Sequence, residues 1–336
     1  MTVSEYRRDP ITGRWVVIGT EPPRPADFHR EPVRQTPDTP DPQCPLCEGH
    51  EAMTPPELWV DRSAGGPNGP GWRTRVIPNH APMIRVETVL DRLGEGLFDK
   101  VAGVGAHEVV VESPRHEETL AGLDDDGITR VLWALRERAQ DLRRDVRFRQ
   151  FVLFKNHGAA AGAALAHSHT QLLALPVVPR EIQAEVDGAR AHYLAKERCL
   201  FCDIIRQEEE DGRRVILRMP DMLALAPFAS RSPFETWILP RRHAVRFEDA
   251  SLEECRRLAQ MLGDVLRRLD RALEQPPYSL VIHTAPVADD HDFYHWHVEI
   301  LPRVTRTGSL EWATGFHMNP TRPEDAAHFL RQLTLR

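Results

Sequence analysis

Two copies of one pattern of metal-binding residue types constrain the fold of this chain more than any other feature. Each copy has a Cys-x-x-Cys pair, a single histidine that follows an arginine, and a His-x-His motif. The single histidine precedes the His-x-His motif by 51 residues in the first copy and by 52 in the second. Such close agreement indicates an ancient duplication. The two sets are Cys44, Cys47, His116, His167 and His169, and Cys199, Cys202, His243, His295 and His297.

Each set has the residue types of a structural zinc site. Two thiolates and two imidazoles form a closed tetrahedral set of ligands, and a Cys-x-x-Cys turn lets two sulfurs reach one ion. Because the histidines come from distant segments, each ion would tie a loop to the core, and metal binding would contribute to folding. The competing interpretation is that the cysteines are reduced core residues and the histidines are unrelated to them. We predict two zinc ions per chain.

The first His-x-His motif also has the residue types of a nucleophile that attacks phosphorus. In an extended strand the rings of His167 and His169 project to one face, so zinc on one ring would orient the other. A neutral imidazole is a competent nucleophile near neutral pH. Gln171 lies on the same face and can donate to a phosphate oxygen. Only the first copy has this glutamine beside its second histidine, and we therefore assign the chemistry to His169.

A loop of small residues precedes this motif. Residues 156–164 read Asn-His-Gly-Ala-Ala-Ala-Gly-Ala-Ala, with glycines at Gly158 and Gly162. Backbone N–H groups in such a loop can approach a phosphate closely, because no bulky side chain intervenes. The loop is a weak indication by itself, but beside His-Ser-His-x-Gln it favours a phosphate site.

The apolar residues predict the same order of elements in both halves. Strand-like and helical periodicities alternate, and a polar stretch over residues 180–198 is typical of a connecting helix. We predict one domain over residues 1–180, with the nucleophile, and a repeat of it over residues 181–336, with the second metal site. The predicted strands are 108–112, 151–155, 170–175, 236–239, 280–283 and 298–301, and the predicted long helices are 128–142 and 252–273.

Composition excludes several classes of protein. A net charge of −7 disfavours a nucleic-acid-binding protein, which usually presents a basic face. The first residues lack the apolar segment of a signal peptide, and no run approaches the roughly 18 apolar residues that span a bilayer. We therefore expect no nucleic-acid partner, no membrane association and a cytoplasmic location. The fifth cysteine, Cys255, lies in a helical apolar pattern and is predicted to be plain core.

Short motifs spread over nearly the whole chain carry a family resemblance. They are RDPITGRWVVI at 8–18, CPLC at 44–47, RVIPN at 75–79, ESPRH at 112–116, HSHTQ at 167–171, HWHVE at 295–299 and MNPTRPED at 318–325. Together they resemble the galactose-1-phosphate uridylyltransferase family, within the histidine-triad superfamily of nucleotidyl transferases and hydrolases. The resemblance implies an α+β fold of two antiparallel half-barrel sheets with packed helices, one sheet per histidine-triad-like repeat. It also implies a homodimer.

The resemblance implies a ping-pong transfer of a nucleoside monophosphate. The second histidine of the motif, His169, would attack the α-phosphorus of a nucleoside diphosphate sugar and release a sugar 1-phosphate. A second sugar 1-phosphate would then accept the nucleotidyl group. Splitting one displacement into two lets one site serve both substrates. The expected activity is that of a UDP-glucose–hexose-1-phosphate uridylyltransferase of galactose metabolism.

The same resemblance implies roles for individual residues. His169 and Gln171 would be catalytic, and Gln171 with Asn156 would hold the phosphates. The further substrate-binding residues would be Arg24 and Asn79 around the nucleotide, Gly158, Gly162 and Ser168 beside the nucleophile, and Glu311 and His317 in the region that binds the sugar. The first zinc ligands would be Cys44, Cys47, His116 and His167, and the second Cys199, Cys202, His243 and His295, with His297 as the alternative to His295.

Three departures from the family pattern weaken the assignment of galactose 1-phosphate as substrate. The segment 21–25 lacks one arginine, Ala164 stands where many members have a phosphate-binding serine, and the sugar-site glutamine has no clear counterpart. Relatives with His-Ser-His and His-Trp-His motifs include an ADP-glucose phosphorylase, in which inorganic phosphate or sulfate is the acceptor. The first alternative is therefore a phosphorylase or hydrolase of nucleoside diphosphate sugars. A zinc-stapled scaffold without turnover is the second alternative.

Overall fold

The computed structural model describes residues 4–21, 42–287, 291–305 and 308–335. These residues form fifteen strands and six helices. The strands are β1 (Glu5–Arg8), β2 (Trp15–Glu21), β3 (Trp59–Arg62), β4 (Trp72–Pro78), β5 (Arg92–Glu95), β6 (Phe98–Val101), β7 (Ala106–Val111), β8 (Gln150–His157), β9 (His169–Leu175), β10 (Val215–Arg218), β11 (Met222–Leu225), β12 (Thr236–Pro240), β13 (Tyr278–His283), β14 (His297–Pro302) and β15 (His317–Thr321). The helices are α1 (Asp125–Leu142), α2 (Arg180–Lys196), α3 (Leu200–Asp211), α4 (Leu252–Leu273), α5 (Ser309–Thr314) and α6 (Pro323–Gln332).

A single antiparallel sheet of ten strands organises the molecule. Its order is β3-β4-β7-β9-β8-β13-β14-β12-β11-β10. Each half contributes five strands. Counted inward from its outer edge, each half places them in the same sequence order: first, second, third, fifth and fourth. The predicted α+β fold is confirmed, but the two expected sheets are joined into one. At the junction Lys155 of β8 pairs with Leu280 of β13, which leaves neither half with an open edge there.

The long helices α1 and α4 cover one face of this sheet, where their apolar side chains join the main core. The prediction for residues 252–273 matches α4 at both ends. Ser251 and Glu254 form a capping box that begins this helix, and Glu274 in the left-handed region ends it. Cys255 is buried in the core as predicted, and burial raises the pKa of its thiol to about 12.

The opposite face of the sheet carries the polar and metal-binding residue types. Strand alternation places Leu172 and Ala174 of β9 in the core under the helices, and therefore His169 and Gln171 on the other face. Val109 and Val111 of β7 share that face and pack against the first Cys-x-x-Cys turn. The strand pattern thus separates a structural face from a face available for chemistry.

A second, three-stranded sheet ties the two ends of the chain together. Strands β1 and β2 form an antiparallel hairpin, and β15 pairs with β2 in parallel, with His317 opposite Val16. The first strands therefore contact an element of the second repeat. The connecting helix expected over residues 180–198 is α2. None of the helices in the described ranges is both long and apolar enough to cross a membrane.

Candidate active site and metal clusters

The first Cys-x-x-Cys pair and two histidines converge on one point. Cys47 Sγ lies 3.4 Å from His116 Nδ1 and 3.6 Å from His167 Nδ1. Cys44 Sγ lies 3.7 Å from the same nitrogen of His167. The loop that carries the cysteines packs on β7, and His167 closely precedes β9. All four ligand atoms lie within 4.8 Å of one another, as four ligands of one ion must.

The second copy repeats this geometry closely. Cys202 Sγ lies 3.5 Å from His243 Nδ1 and 3.6 Å from His295 Nδ1, and Cys199 Sγ lies 4.0 Å from His295 Nδ1. The rings of the two histidines in each cluster have centroids 5.4 Å apart. The sequence left open whether His295 or His297 is the fourth ligand of the second set. His295 faces the sulfurs, whereas His297 belongs to a different cluster.

The protonation pattern of the rings fits a metal at both clusters. His167 Nε2 donates to the carbonyl oxygen of Ser113 at 2.8 Å, and His295 Nε2 donates to that of Pro240 at 2.9 Å. Each donation places the proton on Nε2 and leaves the lone pair of Nδ1 aimed at the sulfurs. Metal-binding histidines are characteristically oriented by such a hydrogen bond from the other ring nitrogen. Two thiolates in each set suit zinc.

His169 is oriented by its own chain. Its Nδ1 donates to the carbonyl oxygen of His167 at 2.8 Å, which leaves the lone pair on Nε2. Burial lowers the pKa of the ring below its usual value, although the same hydrogen bond opposes that change. Both the hydrogen bond and the lowered pKa favour the neutral ring with its lone pair on Nε2, the form in which an imidazole can act as a nucleophile.

A chain of polar groups extends from Gln171 on the same face. Its Oε1 lies 2.8 Å from His107 Nε2, which in turn lies 2.9 Å from Asn79 Nδ2. The structure thus brings together Gln171 and Asn79, which separate sequence motifs had indicated. No motif pointed to His107, although alternation along β7 places this residue on the same face as Val109 and Val111.

The small-residue loop has the backbone that its glycines allow. Gly158 and Gly162 have φ of +80° and +90°, values that other residues rarely adopt, and Asn156 lies next to Gly162. The N–H groups of Ala161 and Ala163 donate to Gly158, and that of Gly162 donates to Ala159. These three N–H groups are therefore occupied within the loop, so a phosphate would have to be bound by other groups of the loop.

Ser168, Glu311 and His317 do not lie on the face of the large sheet that carries His169 and Gln171. The Ser168 hydroxyl is buried and donates to Glu112, so it supports the strand from within. Glu311 accepts the backbone N–H of Gly308 at the start of α5, and His317 lies on β15 of the small sheet. Both are therefore on elements outside the ten-stranded sheet that carries His169. Arg24 lies outside the described residues.

A third cluster occupies the second copy at the position that corresponds to His169. Glu185, His283, His297 and Glu299 lie together, and all are buried or nearly so. Burial disfavours a charged ring, but the carboxylates of Glu185 and Glu299 raise the pKa of His283 to about 10. Burial and the nearby His283 lower the pKa of His297 to about 4. A charged His283 therefore lies beside a neutral His297. The sequence motifs did not predict this cluster.

Comparison with known proteins finds one family over both halves of the chain. The profile described as "Galactose-1-phosphate uridyl transferase, N-terminal domain" matches residues 80–179, and that of the C-terminal domain matches residues 185–334. An ADP-glucose phosphorylase from Arabidopsis thaliana is 33% identical over 98% of this chain and 93% of its own length. A galactose-1-phosphate uridylyltransferase from Thermotoga maritima is 28% identical over 98% of both chains.

Solved structures show the same fold over the full length. An ADP-glucose phosphorylase from Arabidopsis thaliana with bound ADP-glucose superposes with a TM-score of 0.82, at 31% identity and over 100% of both chains. A uridylyltransferase superposes with a TM-score of 0.75, at 27% identity over 98% of this chain and 97% of that one. The protein belongs to the galactose-1-phosphate uridylyltransferase family of nucleotidyltransferases.

Proposed function

We propose that this enzyme moves a nucleoside monophosphate from a nucleoside diphosphate sugar to a phosphate acceptor through a covalent nucleotidyl-His169 intermediate. The observation that carries the proposal is the 2.8 Å hydrogen bond from His169 Nδ1 to the carbonyl oxygen of His167. This hydrogen bond leaves the lone pair on Nε2 and orients the ring, two residues away from a histidine of the first cysteine cluster. Such pre-organisation is what a displacement at phosphorus needs from a protein.

Each of the two steps replaces one bond to the α-phosphorus. In the first, Nε2 of His169 bonds to that phosphorus, the bond to the bridging oxygen breaks, and the sugar 1-phosphate leaves. In the second, an oxygen of the acceptor phosphate attacks, the phosphorus–nitrogen bond breaks, and the ring returns to its starting state. Gln171, oriented by His107, and Asn156 beside the loop would hold the phosphate oxygens through both steps.

Zinc is the metal we propose for both cysteine clusters, where it would act structurally. It would close each site with four protein ligands, so no position remains for a reacting water. At the first cluster its role would be to hold His167, and through it the strand of His169. The proposed ligands are Cys44, Cys47, His116 and His167 for one ion and Cys199, Cys202, His243 and His295 for the other. Reduced thiolates are required, which favours a cytoplasmic location.

Two acceptors fit this scheme. An inorganic phosphate acceptor, with ADP-glucose as donor, is supported by the full-length similarity to a protein named ADP-glucose phosphorylase. A hexose 1-phosphate acceptor, with UDP-glucose as donor, is supported by the family profiles and by relatives named galactose-1-phosphate uridylyltransferase. The sugar-site glutamine has no clear counterpart in this sequence, which favours the first. We therefore propose an ADP-glucose phosphorylase reaction, with the uridylyltransferase reaction as the second candidate.

Intact-mass spectrometry of the zinc-loaded protein tests both parts of the proposal. Incubation with ADP-glucose should add one adenylyl group to the wild type and none to His169→Ala, and inorganic phosphate should then release ADP. Labelling by UDP-glucose with release only by a hexose 1-phosphate would replace the first candidate with the second. A labelled His169→Ala, or turnover without any adduct, would contradict the covalent mechanism.

We also propose that the two halves of the chain have different roles and that the protein forms a homodimer. Residues 1–180 would carry the nucleophile, and residues 181–336 would form the structural repeat. For the expected homodimer, the hairpin of β5 and β6 offers a contact. Leu97 and Phe98 are adjacent at its tip and are 98% and 76% exposed, so together they form an apolar patch that a second chain could cover.

A further inference from the structure

A buried ion pair lies directly beneath the strand of the proposed nucleophile. Lys155 Nζ donates to both carboxylate oxygens of Glu112, at 3.1 and 3.0 Å. The two side chains are 1% and 0% exposed. Lys155 lies on β8, and Glu112 follows β7, so the pair spans the strand that lies between them, β9.

The pair holds three consecutive residues at the start of β9. Lys155 Nζ donates to the carbonyl oxygen of His169 at 3.2 Å and to the hydroxyl of Ser168 at 2.8 Å. Glu112 accepts the hydroxyls of Ser168 and Thr170, both at 2.5 Å. His169 and the residues on either side of it are thus each bonded to the pair. The polar groups of the network satisfy one another, as a buried ion pair requires.

The duplication supplies an internal comparison. Phe154 pairs with Gln171 in the first copy, and Val281 pairs with Glu299 in the second. Gln171 and Glu299 both lie two residues after the second histidine of their motif, so Val281 is the counterpart of Phe154. The counterparts of Lys155, Ser168 and Thr170 are therefore Ile282, Trp296 and Val298.

These counterparts show that the fold does not require a polar network here. Ile282, Trp296 and Val298 are 2%, 2% and 0% exposed and belong to the main apolar core. Removing two charges from water is costly, and apolar side chains in the same place are often as stable as a buried ion pair or more so. The network is therefore hard to explain by stability, and it occurs beneath the histidine assigned to chemistry, not beneath His297.

We propose that the Glu112–Lys155 ion pair is a positioning device that holds the backbone of Ser168, His169 and Thr170 in the geometry for attack on phosphorus. The proposal rests on the role of His169 proposed above. Neither residue of the pair reaches the substrate: both act through the strand. Because a nucleophile must be placed accurately against its target, a displacement of about 1 Å can lower the rate about 100-fold.

The test compares two charge-neutral double variants of the full-length, zinc-loaded chain. Glu112→Gln with Lys155→Met removes the positioning pair. Glu208→Gln with Arg214→Met removes a second buried pair, 5% and 4% exposed, that lies in the second repeat. For each protein the rate constant of nucleotidyl-adduct formation is measured in a single turnover, together with the donor concentration for half-maximal rate, zinc content and thermal midpoint. The donor is whichever of ADP-glucose and UDP-glucose labels the wild type.

We expect the loss of the ion pair to lower the rate of adduct formation without weakening donor binding. The first double variant should form the adduct about 100-fold more slowly, with zinc content unchanged and the half-maximal donor concentration changed less than about threefold. The control should keep the wild-type rate even if its thermal midpoint falls. A rate within about threefold of wild type in the first variant, or an equal loss in the control, would overturn the proposal.

A milder variant keeps the test valid if the double variant does not fold. Thr170→Val removes one hydrogen bond to Glu112 with little change of shape, and the second copy folds with Val298 at this position. It should slow adduct formation several-fold, and a wild-type rate would overturn the proposal. If the wild type itself forms no adduct, the nucleophile role fails and this inference fails with it. If the wild type forms it and the variants form it equally fast, only the inference fails.

Discussion

His283 lies stacked on His297, with ring centroids 4.6 Å apart and ring planes inclined by 10°. Phe201 and Trp237 enclose His297 further, with centroids 4.9 and 5.5 Å away. In the second copy the position that corresponds to His169 is thus enclosed by packed rings, although His297 Nδ1 still donates to the carbonyl of His295 as His169 does to His167. The duplication kept the local backbone and changed what surrounds the ring.

We expect His297→Ala to keep nucleotidyl-adduct formation while lowering stability. The ring is 1% exposed, so its loss leaves a cavity among aromatic side chains and should cost about 3 kcal/mol of unfolding free energy. Urea unfolding measures this cost, and intact mass after incubation with ADP-glucose measures the adduct. A folded His297→Ala that fails to form the adduct would show that the second histidine takes part in the chemistry.

The buried His283 should make stability fall at alkaline pH. Its pKa is about 10 in the folded protein and about 6.5 when unfolded, so the stabilisation is complete below pH 6.5 and is lost as pH rises toward 10. The group contributes a slope of at most about 1.4 kcal/mol per pH unit in that window. Urea unfolding between about pH 6.5 and 9.5 should show this slope in the wild type and not in His283→Gln. Equal slopes would mean that His283 is not charged in the folded state.

Replacing one cysteine ligand in either cluster should remove the metal ion of that cluster and leave the other ion bound. Cys47→Ser and Cys202→Ser should each bind about one zinc ion instead of two, as measured by plasma mass spectrometry, because each loses a thiolate of a different closed site. Cys47→Ser should also slow adduct formation strongly, since His167 is joined to His169 through one residue. If Cys202→Ser slows the adduct as much as Cys47→Ser does, the first cluster has no special link to the nucleophile.

We expect His107 to affect kcat by orienting the side chain of Gln171. Gln171→Ala removes the donor to a charged phosphate oxygen and should lower kcat about 10- to 100-fold, the worth of one hydrogen bond to a charged group. His107→Phe keeps the ring shape but loses the 2.8 Å contact with Gln171 Oε1, so it should give a smaller loss in the same direction. Combining both changes should cost little more than Gln171→Ala alone. Additive losses would show that His107 acts independently.

The exposed hairpin predicts a dimer that one charge can disrupt. Phe98→Asp at the tip of the β5–β6 hairpin should shift the molar mass measured by light scattering from two chains to one, because it places a charge in an apolar contact. Val146→Asp, at another position that is 84% exposed, serves as the control and should leave the mass unchanged. A wild type that is already monomeric would contradict the proposed dimer.

Local patterns in the sequence were sufficient for much of the fold and for both cysteine clusters. The capping box at Ser251 begins α4 at the predicted residue, because caps are short-range hydrogen bonds between residues close in sequence. The paired spacings of cysteine and histidine predicted two clusters, because residues of ligand type rarely recur at one spacing unless they bind together. The predicted strands lie within or close to observed ones, because alternation marks a face.

Only the tertiary structure decided which distant residues meet. Glu112 and Lys155 are 43 residues apart and meet because β7 and β8 flank β9 in one register; a slip of one residue would turn every side chain of a strand to the opposite face. The same holds for His107 with Gln171, whereas Glu185 of α2 meets His283 of β13 because the helix packs against the sheet. Strand pairing also decides that His295, and not His297, meets the second pair of cysteines. Pairing of β8 with β13 joins the two half-sheets into one. The sequence by itself therefore determined the residue types available for the chemistry, and strand register determined which of them support His169.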